Sequence, residues 1–453
     1  MVIQKFRDRK RELSELEEVL NSGKFELTII YGRRRIGKTE LILKATEKRK
    51  RIYYLAVGEK NLERFYSVCA AHYPEASKLK MDWEVLFDFL KDNAEAVIID
   101  EFQNLISENE NILNIFQSIV DITLKGSKLK MFLLGSSVSM ITSKVLDYKS
   151  PLYGRRTGSI ELKAVSFPEL KEFFPDREIS ELVEIYAFAD GIPYYLTMIE
   201  KEFWAFLQEE LKKERSFLSD EIDFLMRYEF EDAGTYKLIL EAISNGKTKM
   251  NEIKDFLKAK RTDIGPYLRN LIEVGMVSRV VPITENIKSR MGRYYLADNF
   301  LKFWFRYIYP NLSSIEEGIF DARVIKKDYN GYLGYIFEDV SRQILIRKKE
   351  DIFDFTKIGK WWFKENEIDI VALNEIKKEI LFCECKWQDN VDAKKILAEL
   401  KEKTKYVEWN NGSRKEYFAI FAKSFKEKIK ESNLFLFDLK DVQKALLFDM
   451  PKT

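Results

Sequence analysis

Apolar residues in the first third of the chain come in short, unbroken runs. Glu26–Tyr31 (ELTIIY) is β-branched and six residues long, which reads as a buried strand. Ala96–Asp100 (AVIID) and Lys130–Gly135 (KMFLLG) read the same way. Residues 51–57 (RIYYLAV) and 159–163 (SIELK) would complete a five-stranded, mostly parallel sheet. Residues 40–50 (ELILKATEKRK) instead have helical spacing, with Leu41, Ile42, Leu43 and Ala45 on or near one face. Across 168–230, acidic and apolar positions interleave (PELKEFF, ISELVEIYAFA, PYYLTMIEKEFWAFLQEELKKE), which predicts a helical segment. The pattern changes again at Tyr236. KLILEAISNG is a helix with a glycine stop, MNEIKDFLKA a second, and TDIGPYLRNLIEVG a third, capped by Thr262 and ended by Gly275. Two strands follow, MVSRVVPI and GRYYLAD, joined by the polar loop TENIKSRM. Three helices and a β-ribbon are the winged-helix order, with the third helix in the recognition position.

Length and composition narrow the classes. A chain of 453 residues exceeds one hydrophobic core, since cores stop growing near roughly 250–300 residues, so two to four domains are expected. Charged residues make up 33%, against an ordinary ~25%, with only 9 Pro and 19 Gly, a composition resembling that of ion-pair-rich, heat-loving proteins. The net charge is +2, so any nucleic-acid surface must be a local patch. Three cysteines, Cys69, Cys383 and Cys385, cannot build a disulfide framework and point to a reducing, cytoplasmic setting. The opening MVIQKFRDRKREL has no apolar stretch of a secretory signal. The most aromatic stretch, Phe300 to Tyr309, is interrupted by Lys302 and Arg306 and is too short to span a bilayer. His72 is the only histidine, which excludes a Ser-His-Asp triad in its ordinary form and histidine-rich zinc sites. It reads as a packed or surface residue. Any catalytic metal would therefore have oxygen ligands, as Mg²⁺ or Mn²⁺ does.

The strand at 26–31 runs into Gly32-Arg33-Arg34-Arg35-Ile36-Gly37-Lys38-Thr39 and then into a helix opened by Glu40. Strand, G-x-x-x-x-G-K-T and helix together define a Walker A loop. Glycines let the backbone turn its amides onto phosphates, and the helix N-terminus adds a favourable dipole. Lys38 would neutralise the β- and γ-phosphates of ATP, and the Thr39 hydroxyl would join the Mg²⁺ shell. The strand ending in Asp100-Glu101 fits a Walker B, with Asp100 holding Mg²⁺ and Glu101 orienting the attacking water. Ser136, at the end of the 130–135 strand, could sense the γ-phosphate.

These motifs, with Phe6-x-Asp8-Arg9, IIDEFQ, LLGSSVSM, PLYGRRTG (151–158) and DGIPYYL (190–196), resemble the archaeal ATPase family within the AAA/STAND branch of P-loop NTPases. The resemblance implies an adenine site near Asp8-Arg9 and a helical lid whose Pro193 caps the base. It makes Arg155 or Arg156 a candidate γ-phosphate arginine. Asp190 stands where the family usually has a second glycine.

Further on, Asn366–Leu373 (NEIDIVAL) and Ile380–Trp387 (ILFCECKW) are strand-like runs joined by the charged turn NEIKKE. The turn would bring Asp369 beside Glu384, and strand alternation puts Glu384 and Lys386 on one face and Cys383 and Cys385 on the other. Two carboxylates could hold Mg²⁺ or Mn²⁺ while Lys386 positions water, and Glu338, in the helical run Gly334–Glu338, offers a third acid. The set resembles the PD-(D/E)xK nuclease superfamily, and the region resembles the C-terminal domain that accompanies many archaeal ATPases of this kind. An edge-strand salt bridge is the structural alternative. E-x-K itself recurs, as at Glu252, Glu375 and Glu399; what raises the copy at Glu384 is its place inside an apolar strand, where charge needs a reason.

The expected architecture is α/β, with a P-loop ATPase core at 1–165, a helical lid at 166–232, a winged helix at 233–312 and a restriction-endonuclease-like domain at 313–453. Basic residues Lys258, Lys260, Arg261, Arg269, Lys288, Arg290 and Arg293 suggest a contact with duplex DNA, although winged helices also serve as protein-packing modules. The corresponding function is an ATPase whose nucleotide state controls DNA contact and a metal-dependent nuclease-like site; the alternative is a non-cleaving ATPase switch in signalling or transcription control with an inactive nuclease-like domain. A homo-oligomer or a protein partner would be compatible with either.

Overall fold

In the computed structural model the short apolar runs of the first third form one sheet of five parallel strands. The structure describes residues 9–213, 216–230, 232–258 and 263–447; Phe6, Asp8, Lys260, Arg261 and Thr262 lie outside them. Strands β1 (Glu26–Tyr31), β2 (Arg51–Leu55), β3 (Ala96–Asp100), β4 (Lys130–Gly135) and β5 (Gly158–Glu161) lie in the order β2-β3-β4-β1-β5. Strand β4 is thus inserted between the strand that opens the glycine loop and the strand that ends in Asp100, and its own end lies between theirs. The second strand is two residues shorter than expected. Val57 turns its amide to the Asn61 side chain (2.9 Å), so the chain leaves the ladder after Ala56. Alternate residues of these strands, including Leu27, Ile29, Ile52, Tyr54, Val97, Ile99 and Leu133, pack against Phe65, Phe87 and Phe116. Burying each such side chain contributes about 1.5–3 kcal/mol.

The chain divides into two compact units, one comprising residues up to Val165 with Ile192–Tyr194, the other Ser166–Gly191 and the residues from Tyr195 onward. In the second unit the segment expected to be helical forms several helices, including Ile179–Ala189, Phe203–Leu211 and Phe217–Glu229. The first of these ends at Asp190, whose φ of 53° is a left-handed conformation that favours glycine. Helices Ala233–Ser244, Met250–Phe256 and Gly265–Glu273 are followed by an antiparallel ribbon of β6 (Val277–Val280) and β7 (Arg293–Leu296). The third helix begins at Gly265, whose amide bonds Asp263, and Gly275 ends it with φ 72°.

The last sheet has the order β12-β11-β10-β9-β8, formed by β8 (Lys357–Phe363), β9 (Asn366–Asn374), β10 (Glu379–Lys386), β11 (Lys415–Ala422) and β12 (Leu434–Phe437). Strands β8, β9 and β10 pair antiparallel, whereas β10, β11 and β12 run parallel. The long helix Ala322–Arg347 precedes the sheet, and the helix Ala393–Thr404 crosses from β10 to β11. The long helix serves two layers. Tyr329 and Tyr332 near its middle bond the carbonyls of Glu184 and Ala187, while Phe337 packs edge-on against Trp387 beyond the end of β10. Glu338, the next residue, is thereby fixed against the sheet. Among the described residues no helix is long and apolar enough to cross a membrane.

Candidate functional site

The glycine loop leaves β1 at Tyr31 and closes at Lys38, the first residue of the helix Lys38–Ala45. Gly32 has φ 149° and Gly37 φ 89°, and a Cβ on Gly32 would sit 2.3 Å from the Leu162 carbonyl oxygen. Both positions therefore require glycine. Lys38 Nζ reaches back over the loop to the carbonyl oxygens of Gly32 (2.8 Å) and Arg33 (3.0 Å). Thr39 Oγ1 donates to Asp100 Oδ2 at 2.6 Å, and the Glu101 amide donates to Asp100 Oδ1 at 2.8 Å. Tyr53 donates to the same Oδ2 at 2.9 Å. Asp100 is only 2% exposed, so its charge is met by hydrogen bonds rather than by bulk water.

Glu101 has φ 54°, an uncommon conformation for a residue with a Cβ. The Phe102 amide bonds the Leu134 carbonyl (2.8 Å), which ties this turn to β4. The Glu101 carboxylate accepts from the Ser136 hydroxyl and the Gln103 side-chain amide. Ser136 thus touches the residue assigned to prime water. Gln103 was not singled out by sequence, because a glutamine three residues after a strand carries no periodic signal.

Around the loop, Ile36 is buried and its carbonyl accepts from Arg9 (3.3 Å), which also bonds the Lys163 carbonyl (2.6 Å). Arg33 and Arg34 are half-buried, whereas Glu40 is exposed. Arg35 adopts φ 69°, and its guanidinium lies 4.2 Å from the centre of the Tyr194 ring. Pro193 Cγ is 4.0 Å from where a Gly37 Cβ would stand, which puts Pro193 beside the loop. The two arginines of PLYGRRTG separate clearly. Arg155 is engaged by Asp121 through Nε and Nη2, at 2.6–2.8 Å. Arg156 lies over Tyr153, and burial and Glu161 raise the Tyr31 phenol pKa while Arg156 opposes them. Arg156 is thus the one within electrostatic reach of the loop's first strand.

These residues fit a magnesium nucleotide: an amide-lined turn needing glycine twice, an ammonium group across it, and a hydroxyl–carboxylate pair at its far side.

In the second unit Asp369 and Glu384 each adjoin the Cys383–Ile370 pair that ends the β9–β10 ladder, one on either strand. Asp369 Oδ2 accepts from the Cys385 amide (2.8 Å). Burial, then Glu384, then Glu338 push the Asp369 carboxyl up to about 7, so the three acids share one electrostatic neighbourhood. Each also has a basic or amide partner. Glu384 Oε2 accepts from Lys386 (2.8 Å) and Oε1 from Lys403 (2.6 Å), while Glu338 pairs with Lys360. Burial alone would lower the pKa of the Lys360 ammonium, and Glu338 more than reverses this. Among the described residues no group of three or more His, Cys, Asp or Glu is arranged to hold a metal ion. The acids neighbour one another, with Glu338 and Glu384 drawn to lysines. Lys360 and Lys403 were not singled out by sequence. Glu384 is 3% exposed, and all three cysteines are buried and free. His72 is exposed and bonds the Val68 carbonyl of its own helix.

The β6–β7 ribbon packs against β8. The Ile283 amide bonds the Lys360 carbonyl (2.9 Å), and Arg293 pairs with Glu367 (3.2 Å) and lies over Trp362. Of the basic residues proposed for DNA, Arg293 is thus engaged internally, whereas Lys258, Arg269, Lys288 and Arg290 are exposed.

Sheet order, glycine loop and acidic strand end define the first unit as a P-loop ATPase domain. A family model described as an ATPase domain predominantly from Archaea matches residues 6–199. A second, described as archaeal and bacterial proteins of unknown function, matches residues 304–396, which include Glu338, Asp369, Glu384 and Lys386. The uncharacterized protein MJECL04 of Methanocaldococcus jannaschii is 52% identical over 441 residues, 96% of this chain and 99% of its own length. The chain belongs to that protein's family and carries the archaeal ATPase domain. The uncharacterized ATP-binding protein MJ0423 of the same organism is 53% identical over 45 residues, 10% of this chain and 76% of its own. Among solved structures, the Walker-type ATPase PABY2304 of Pyrococcus abyssi has the same fold over 66% of this chain and 96% of its own, with a TM-score of 0.52 and 24% identity.

Proposed function

We propose that this chain is a magnesium-dependent ATPase whose nucleotide state controls a DNA-facing winged helix and a metal-dependent, nuclease-like domain. The observation that carries the first half is the bond from Thr39 to Asp100, with Glu101 beside them between Ser136 and Gln103. Gly32 to Thr39 bind the phosphates, and Lys38 balances their charge. Thr39 and Asp100 would hold Mg²⁺, which supplies charge neutralisation at the phosphate oxygens when bound. Glu101 accepts a proton from water, and Ser136 and Gln103 orient its carboxylate. Glu101→Gln is expected to keep ATP binding while lowering kcat by about 10²–10⁴-fold. Nucleotide binding and phosphate release, measured on the same preparation, check this. Equal loss of binding and turnover would remove Glu101 from its role.

The second half is supported by the order helix, three antiparallel strands, helix, parallel strand, and by Asp369 next to Glu384. Asp369 and Glu384 would hold Mg²⁺ or Mn²⁺, and Lys386 would position water; bound metal would polarise a phosphodiester. Asp369→Ala and Glu384→Ala are each expected to abolish Mn²⁺-dependent cleavage of duplex DNA while ATP hydrolysis persists. Cleavage unaltered by both would refute the assignment. The lysine partners of Glu338 and Glu384 favour a second reading, a non-cleaving switch that binds DNA or a protein. Binding without cleavage during long incubation with Mn²⁺ would select that reading.

A further inference from the structure

Asp100 is met from three sides, and one of the three groups belongs to no recognised motif. Its Oδ1 takes the Glu101 amide, and its Oδ2 takes both the Thr39 and the Tyr53 hydroxyls. Tyr53 lies on β2, the neighbour of β3 at one edge of the sheet. In that strand Ile52 and Tyr54 face the core, and alternation puts Tyr53 on the opposite face. Tyr53 pairs with Ile98, two positions before Asp100, so a long aromatic side chain is needed to reach the strand end.

Packing does not explain the hydroxyl. Phenylalanine would supply the same ring, and the bond to Asp100 is what the oxygen adds. The Thr39 hydroxyl spends its single proton on Asp100, leaving lone pairs that can face a cation. A carboxylate that must accept from a metal's water shell gains from being fixed beforehand, and outer partners of this kind set metal affinity by about 10–100-fold.

We propose that Tyr53 is a positioning residue for the magnesium nucleotide, its hydroxyl fixing the Asp100 carboxylate in the orientation that the Thr39–Asp100 pair needs. The proposal rests on the reading of that pair as the magnesium-holding site. It is tested with the full chain carrying Tyr53→Phe, which preserves ring volume. Binding of a fluorescent ATP analogue is titrated with MgCl₂ and repeated in EDTA, and hydrolysis is followed against magnesium concentration. The half-saturating magnesium concentration should rise about tenfold in both assays, with nucleotide affinity in EDTA unchanged. The effect on kcat at saturating magnesium should be smaller than that on the magnesium requirement. An unchanged magnesium requirement would overturn the role of Tyr53, as would an equal loss of affinity with and without magnesium, the mark of a packing defect. If the unsubstituted protein binds nucleotide independently of magnesium, the reading of the Thr39–Asp100 pair fails, and this proposal with it.

Discussion

Replacing Lys38 by alanine is expected to lower kcat/KM for ATP by at least about 10²–10³-fold, or roughly 3–4 kcal/mol of transition-state stabilisation. The argument is electrostatic and local. The loop's amides survive the change, but the one ammonium spanning its mouth, now held by the Gly32 and Arg33 carbonyls, is lost. Those carbonyls also lose a partner, so the empty loop relaxes and binding weakens as well. Lys38→Arg should rescue poorly, because a planar guanidinium fork does not replace a point charge in a cradle closed by backbone. Phosphate release and nucleotide binding measure the effect. Near-normal turnover in Lys38→Ala would mean that phosphates bind elsewhere.

Asp369→Asn is expected to make the protein more stable at pH 8, with the gain shrinking as pH falls toward 4. The folded Asp369 carboxyl titrates at about 7 against an ordinary 3.8. Between those values the native state keeps a proton that the unfolded chain has released, so stability falls as pH rises through the window. The loss is complete above about pH 7. A shift of this size corresponds to an upper bound of about 4 kcal/mol, and sharing of the proton with Glu384 and Glu338 reduces the expectation to about 1–3 kcal/mol. Asparagine can still accept the Cys385 amide and has no charge to bury. Urea unfolding at pH 5 and pH 8 reads the difference. A variant less stable than the parent at pH 8 would show that the ionised carboxylate is favoured in the fold. A gain would mark Asp369 as a residue whose charge costs stability, as functional side chains commonly do.

Much of the nucleotide site was legible because its signals are local. The loop's glycines, the lysine and the helix after them lie within a dozen residues, and Asp100 and Ser136 each sit at or just after the end of an apolar run. What escaped notice is what strand pairing brings together. Tyr53 meets Asp100 across a parallel pair, and Gln103 meets Ser136 only because β4 lies beside β3. The hairpin carrying Asp369 and Glu384 was readable from two apolar runs and a charged turn. The strands β8, β11 and β12 were not identified, and neither were the lysines on Glu338 and Glu384. Lys360 and Lys403 lie 22 and 19 residues from their partners in a chain so rich in charge that no pattern distinguishes them. Arg155 and Arg156 are adjacent and alike in sequence; Asp121, on a distant segment, separates their roles.

Coupling of nucleotide to DNA is the claim on which the account turns, and fluorescence anisotropy of a labelled duplex tests it most directly. Affinity should be measured at one fixed salt concentration with Mg·ATP, with Mg·ADP and without nucleotide, using Glu101→Gln to hold the ATP state. The account predicts that affinities in the ATP and ADP states differ by about 5–150-fold, the range that a coupling of 1–3 kcal/mol produces. Equal affinity in all three states, or no binding in any, would contradict it.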